Sequence, residues 1–360
     1  MAFALSILAT TVVAPAPPTL HVAAAFNLTG AMQSVDQPGY YGMKLAAEEL
    51  NRGGRIKIML HPVDGQSKVS TMSNALRNLL RKRKVDAIAG LYDSDYALAV
   101  GKIAQTRRIP FVSSGATLTG LTKTLGSYCF TACYSDDDQA RAMAVFARDV
   151  LSIQTTSVLA DPRWSYTRTI AKAFPRAFVE QGGRWLLTIN DPEPGRAEPL
   201  RFGSESVYAA TLPEDAGGTI KRLRQNGFEG PILSGDGWDT PALDQKAGFA
   251  GFKVFYTTHV AYDSPEPRVN AFVKAYTARF KRKPESASAA LAYDTLRVIA
   301  DAQMRRGSRS LRDAIASTRN HQGVTGKITY EKGSREPVKP VSVVEVLGTD
   351  RVFRGAIEKP

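Results

Sequence analysis

Cysteine and histidine are scarce in this chain, and their scarcity removes most thiol and metal chemistry. There are two cysteines and four histidines in 360 residues. The histidines (His21, His61, His259, His321) are scattered and read as forming no ligand pair. Cys129 and Cys133 lie in GSYCFTACYSD, without the CxxC spacing of a redox or metal site. If that segment is a strand, residues four apart share a face but sit about 13 Å apart. A disulfide needs Cα atoms within about 7 Å, so two buried thiols are expected. HExxH and GxSxG are both absent, and AAFNLTG after the first apolar run offers one glycine where a dinucleotide site needs three. GVTGK at 323–327 lacks the full phosphate-loop spacing and precedes a strand instead of opening a helix. No cofactor, no metal and no enzymatic activity are expected.

Long apolar runs are missing as well. The N-terminal MAFALSILATTVVAPAPP carries about a dozen apolar residues, fewer than the ~20 that cross a bilayer. Residues 1–18 look like the apolar region and tail of a secretory signal, without its basic start, and no cysteine nearby could take a lipid anchor. Export to the periplasm as a soluble protein is the expectation.

What is present is ordinary globular composition, 43% hydrophobic and 22% charged, at a length that suggests two domains. The net charge of +13 invites a nucleic-acid reading, but its basic clusters at 81–84, 221–224 and 279–283 lie far apart, at helix ends or on polar helix faces. No RNA-binding aromatic motif or zinc-finger spacing accompanies them, so nucleic acid is not an expected partner. Strand-like and helix-like patterns alternate: strands at 20–26, 56–60, 87–90 and 109–112, with helices at 40–50 and 69–83. The pattern restarts after Tyr134 with helices at 136–151, 167–180 and 214–226 and strands at 156–159, 184–189, 206–210, 231–233 and 253–257. Helices at 268–280, 286–306 and 310–317 and strands near 327–330 and 341–346 close the chain. Such alternation argues for parallel α/β sheets.

Residues 85–117, VDAIAGLYDSDYALAVGKIAQTRRIPFVSSGAT, carry the densest functional pattern. They read as strand, polar loop, helix, strand, polar loop, with Gly90 and Ser94 after the first strand and Ser113, Ser114, Gly115 and Thr117 after the second. Ligands of open parallel sheets sit outside the carboxyl ends of strands. Hydroxyls and free N–H groups there, beside helix N-termini, suit a small anionic group. No strong acid, base or metal ligand dominates, which suggests binding without chemistry.

These features, with AFNLTG after the first strand, YYGMKLAAEELNRGG, DPRWSY at 161–166 and GDGWDTP at 235–241, resemble the type I periplasmic substrate-binding proteins of ABC transporters, in the branched-chain amino acid (Leu/Ile/Val) family. The resemblance runs from about residue 20 to 346 and implies an α/β fold of two Rossmann-like lobes joined by a three-strand hinge. The lobes would comprise 19–134 with 259–338, and 135–258 with 339–360. It further implies that Ser94, Gly115, Ala116 and Thr117 hold a ligand carboxylate, that Tyr166 lines the opposite wall, and that Asp236 pairs with the ligand ammonium. Trp238 would line the cleft or pack beneath it. Thr211 stands where the family often has Tyr, and Ser114 where Pro is usual, so the side-chain pocket should differ. The implied function is a monomeric solute receptor that captures an amino acid or amino-acid-like molecule by hinge closure and presents it to a permease of the inner membrane. A carrier of amides, urea or aromatic acids, or a sensing subunit of a signalling receptor, are the alternatives.

Overall fold

The computed structural model describes residues 16–191, 201–243 and 252–358; most of the signal-like segment lies outside them. Its first sheet is built from β1 (Thr19–Phe26), β2 (Lys57–Asp64), β3 (Ala87–Gly90), β4 (Phe111–Ser113) and β5 (Cys129–Thr131), all parallel, in the order β2-β1-β3-β4-β5. Its helices are α1 (Gln33–Arg52), α2 (Val69–Lys82), α3 (Ser94–Arg107) and α4 (Leu121–Leu125). Alternate residues of β1 explain why both faces are covered. Leu20, Val22, Ala24 and Phe26 pack on one side with Met43 and Ala46 of α1, while Ala23 and Ala25 meet Met72 and Leu76 of α2 on the other.

The chain then leaves this sheet through α5 (Asp136–Val145), which continues into a single π turn, Phe146–Val150. A capping box between Ser135 and Asp138 starts that helix. The second sheet contains β6 (Thr155–Ala160), β7 (Arg184–Asn190), β8 (Ser206–Ala210), β9 (Ile232–Ser234) and β10 (Val254–Thr258), with α6 (Ser165–Glu180) and α7 (Ala216–Gln225). Its parallel part runs β7-β6-β8-β9-β10, the same winding as the first sheet. After β10 the chain returns to the first lobe as α8 (Pro267–Phe280), α9 (Ser288–Arg305) and α10 (Leu311–Ala316), and α9 packs along α1. A small hairpin, β11 (His321–Gly323) and β12 (Gly326–Ile328), follows. The last crossing leads to β13 (Val341–Leu347) and β14 (Asp350–Ile357), which extend the second sheet antiparallel.

Several sequence expectations are refined. α1 begins at Gln33, not residue 40, and carries Pro38 within it. β14 is missing from the sequence pattern because, as an edge strand, it is mostly half-buried and lacks a clean alternation. Two of the scattered histidines, His21 and His61, meet across β1 and β2, with Nδ1 and Nε2 3.0 Å apart and their rings stacked. Both cysteines are buried and unbridged. GVTGK forms the hairpin turn, whose Val324 and Thr325 N–H groups donate to the Asp294 carboxylate at 2.8 Å. The basic clusters lie on helices or just past their ends. Arg81 and Lys82 close α2, and Arg279 pairs with Glu48.

Candidate functional site

Both windings reverse direction beside their first strand, and in such sheets ligands bind at the carboxyl ends near that reversal. The carboxyl ends of the two sheets face each other across one cleft. Met32 follows β1; Tyr92, Asp93 and Ser94 follow β3; Thr117 follows β4. From the other lobe come Tyr166 after β6, Leu212 and Pro213 after β8, and Asp236 and Gly237 after β9. The space these residues enclose is about 20 Å³. Small-molecule pockets span roughly 300–1,000 Å³, so the lobes stand closed on one another and solute entry requires them to part. No lysine, arginine or histidine is among the lining residues.

Gly90 makes the turn into this loop possible. Its φ is +124°, and a Cβ there would lie 2.1 Å from the Ala25 carbonyl oxygen. Past the turn, Asp93 caps α3 by accepting from the N–H groups of Asp95 and Tyr96.

Asp236 is the best-held polar group in the cleft. Its Oδ1 accepts from Gln139 Nε2 at 2.8 Å and its Oδ2 faces His259 Nε2 at 3.1 Å. Gln139, fully buried on α5, turns its other amide atom to the Asp236 N–H (2.9 Å) and the Thr257 hydroxyl (2.7 Å). The same Nε2 reaches Asp136 Oδ1 at 3.1 Å and Thr117 Oγ1 at 3.4 Å, so one amide ties both lobes together. Burial lowers the His259 pKa, outweighing the contribution of Asp236. The neutral ring is therefore favoured, and the tautomer assigned from the hydrogen bonds carries its proton on Nε2, towards the carboxylate. Its face stacks on Tyr134 at 3.8 Å between ring centres. Burial also pushes neighbouring carboxyl groups up: Asp36 and Asp93 to about 7, Asp136 to about 8 and Asp239 to about 6.

Direct bonds close the lobes. The Asp95 carboxylate accepts from the Ser165 N–H (3.0 Å) and hydroxyl (2.6 Å), which start α6 in the other lobe. The Tyr92 hydroxyl donates to the Asp236 carbonyl at 3.4 Å, and Asp239 accepts from the Ala287 N–H at 2.8 Å.

Ser94, Thr117, Tyr166 and Asp236, expected from sequence, thus meet around one space. Gly115 and Ala116, also expected there, do not line it, and Trp238 takes the second of its two expected places. The Gly115 N–H is taken by the Leu91 carbonyl, and its Cα lies under Tyr92, where a Cβ would come within 2.3 Å of the ring. Ala116 is buried in the core cluster that also contains Leu91 and Tyr96. Trp238 packs beneath the cleft, its indole N–H donating to Thr211 Oγ1 at 3.1 Å. The Thr211 departure therefore has a structural partner in Trp238. Gln139 and His259 were not legible in the sequence because no local motif marks them. Only the fold brings α5 and the crossing after β10 to Asp236. A larger surface groove of about 670 Å³, floored by Pro175, Val179 and Trp185 between α6 and β7, lies away from the strand ends that form the cleft.

Residues 19–350 match the family model described as periplasmic binding protein. The chain is a periplasmic binding protein. Proteins of this family bind solutes and are not enzymes. This periplasmic binding protein is 24% identical over 319 residues to an amino acid binding protein of Pseudomonas aeruginosa, covering 84% of each chain. It is 21% identical to the Leu/Ile/Val-binding protein homolog 7 of Brucella abortus, covering 80% of this chain and 78% of that one. In structure it is similar to the leucine binding protein LivK of Thermotoga maritima, with a TM-score of 0.84, 27% identity and coverage of 95% and 99%. It is also similar in fold to a solute binding protein of R. palustris in complex with benzoate, with a TM-score of 0.81, 19% identity and coverage of 95% and 98%. The two-lobed type I fold is thereby established. No described helix is long and apolar enough to cross a membrane.

Proposed function

We propose that this protein captures a small amine-bearing solute, an amino acid or a close analogue, between its lobes and presents it to an inner-membrane ABC permease. The observation that carries the reading is the lining of the cleft: buried acid and hydroxyl groups with no cationic side chain. An ammonium fits beside Asp236, while Ser94 and Thr117 face the solute's other polar end and Met32, Leu212 and Pro213 face its apolar part. Among the described residues, nothing takes the backbone N–H of Ser94 or Thr117, leaving both to a ligand. Several relatives are described as amino-acid or Leu/Ile/Val binders, which supports the amine. A carrier of aromatic acids would place an anion among carboxyl groups with no compensating cation, which is unfavourable in a buried site.

In this reading the lobes are 19–134 with 259–338 and 135–258 with 339–360, the protein works as an exported monomer, and closure shifts an open–closed equilibrium by contacts made only when shut. Gly115, Ala116 and Trp238 shape the walls from behind. Mass spectrometry of the solute released from purified protein, with a melting panel of amino acids, amides and aromatic acids, tests this. Amine-bearing compounds should raise Tm most. Aromatic acids that do so while amines do nothing would refute the role given to Asp236.

A further inference from the structure

The cleft receives one acid from each lobe. Asp236 belongs to the second; the first contributes Asp93, which is 7% exposed and lines the same space. Asp93 Oδ1 is engaged by the N–H groups of Asp95 (2.8 Å) and Tyr96 (3.3 Å). Its Oδ2 has no hydrogen-bond partner among the described residues. Beside it, the Ser94 hydroxyl, on a residue 1% exposed, also lines the space and lacks a partner among them. The positive end of α3 would ordinarily attract a ligand anion. Here Asp93's own carboxyl group already occupies it.

We propose that Asp93 makes this cleft select a solute whose second polar group is an N–H donor, a carboxamide or a second amine, in place of a carboxylate. The inference rests on the interlobe reading above and narrows its ligand class. A ligand carboxylate at Ser94 would lie beside the Asp93 carboxyl group in a desolvated site, where it repels the ionised form and binds only at the cost of protonating Asp93. An N–H donor instead satisfies Oδ2 and, with the ammonium at Asp236, bridges the two lobes. Burial and the nearby carboxylates of Asp95 and Asp36 hold Asp93 up at about 7, so a donor that favours its ionised form has free energy to recover there. Asp236 and the hydroxyls of Tyr92 and Tyr166 also line the cavity, and none supplies a positive charge.

The test is calorimetry at pH 7 with L-leucine and L-leucinamide, which match in size and differ in carboxylate against carboxamide, on wild type and Asp93→Asn. Asparagine caps a helix about as well as aspartate, so folding should hold, and circular dichroism checks it. Wild type should bind leucinamide about tenfold or more tightly than leucine, and Asp93→Asn should abolish that preference. Leucine binding as well as or better than leucinamide in wild type overturns the role of Asp93 while leaving the receptor reading intact. A preference that survives in Asp93→Asn overturns it as well. Failure of both compounds to bind overturns it together with the amine reading of Asp236.

Discussion

Gln139→Leu is the perturbation whose consequence follows most directly from the geometry. The two side chains are close in size, so the change deletes hydrogen bonds without opening a large cavity. Gln139 Oε1 is the acceptor for the Asp236 N–H at 2.9 Å and the Thr257 hydroxyl at 2.7 Å, and Nε2 donates to Asp236 Oδ1 at 2.8 Å. All three partners are buried, and each of the two donors left unpaired costs about 1–3 kcal/mol. Thr257 can rotate its hydroxyl towards another acceptor, but the Asp236 N–H is fixed. A loss of about 1–6 kcal/mol is expected, the lower end if Thr257 finds another acceptor, which at roughly 2–4 °C per kcal/mol lowers Tm by about 2 °C or more. The orphaned Asp236 loop should also weaken solute binding. Calorimetric unfolding of the solute-free protein reads the first effect and titration the second. A variant within about 0.5 kcal/mol of wild type, the range of inert surface changes, would show that the Gln139 network does not hold the cleft together.

The interlobe clasp is expected to behave differently. Asp95→Ala removes two bonds made only when the lobes are shut, so affinity should fall by about tenfold while solute-free stability barely moves, and X-ray scattering should show the liganded protein less compact; equal affinity would refute the clasp. Stability should also depend on pH in a definite direction. Asp136 is pushed from 3.8 up to about 8 by burial, with Asp236 and Asp137 adding to it against the Thr117 and Gln139 hydrogen bonds. Its stabilising contribution is therefore complete below pH ~4 and is lost as pH rises through about 8. Melting curves from pH 4.5 to 8.5 should fall more steeply for wild type than for Asp136→Asn; parallel curves would contradict the assignment.

Much of this molecule was legible before its structure. The strand at 206–210 appears at those residues as β8, and the short helices and strands around it fall within a few residues of their expected bounds, because both faces of a parallel sheet impose continuous apolar runs. That Ser94, Thr117, Tyr166 and Asp236 meet around one space was readable because loops after strand carboxyl ends converge in this architecture. Gly115 and Ala116 do not line that space, and Trp238 takes the second of its two expected places, beneath it, because backbone position in a functional loop does not reveal which way a group points. Gly115 faces the Tyr92 ring, Ala116 the core, and the Trp238 indole turns down to Thr211. Asp93, Gln139 and His259 were overlooked because helix caps, helix interiors and crossing segments look alike in sequence whether or not they adjoin a cleft.

In the proposed reading an amine-bearing solute is held at Asp236. The most direct test of that reading is differential scanning calorimetry of wild type and Asp236→Asn with the solute recovered from the purified protein, supplied at a hundred times its wild-type Kd. Wild type should be stabilised by about 2.7 kcal/mol, a clear rise in Tm. Removing one partner of a buried charge pair costs about 2–5 kcal/mol of affinity, so the same solute concentration should shift the variant little or not at all. An equal rise in both proteins would place the solute elsewhere and contradict the account.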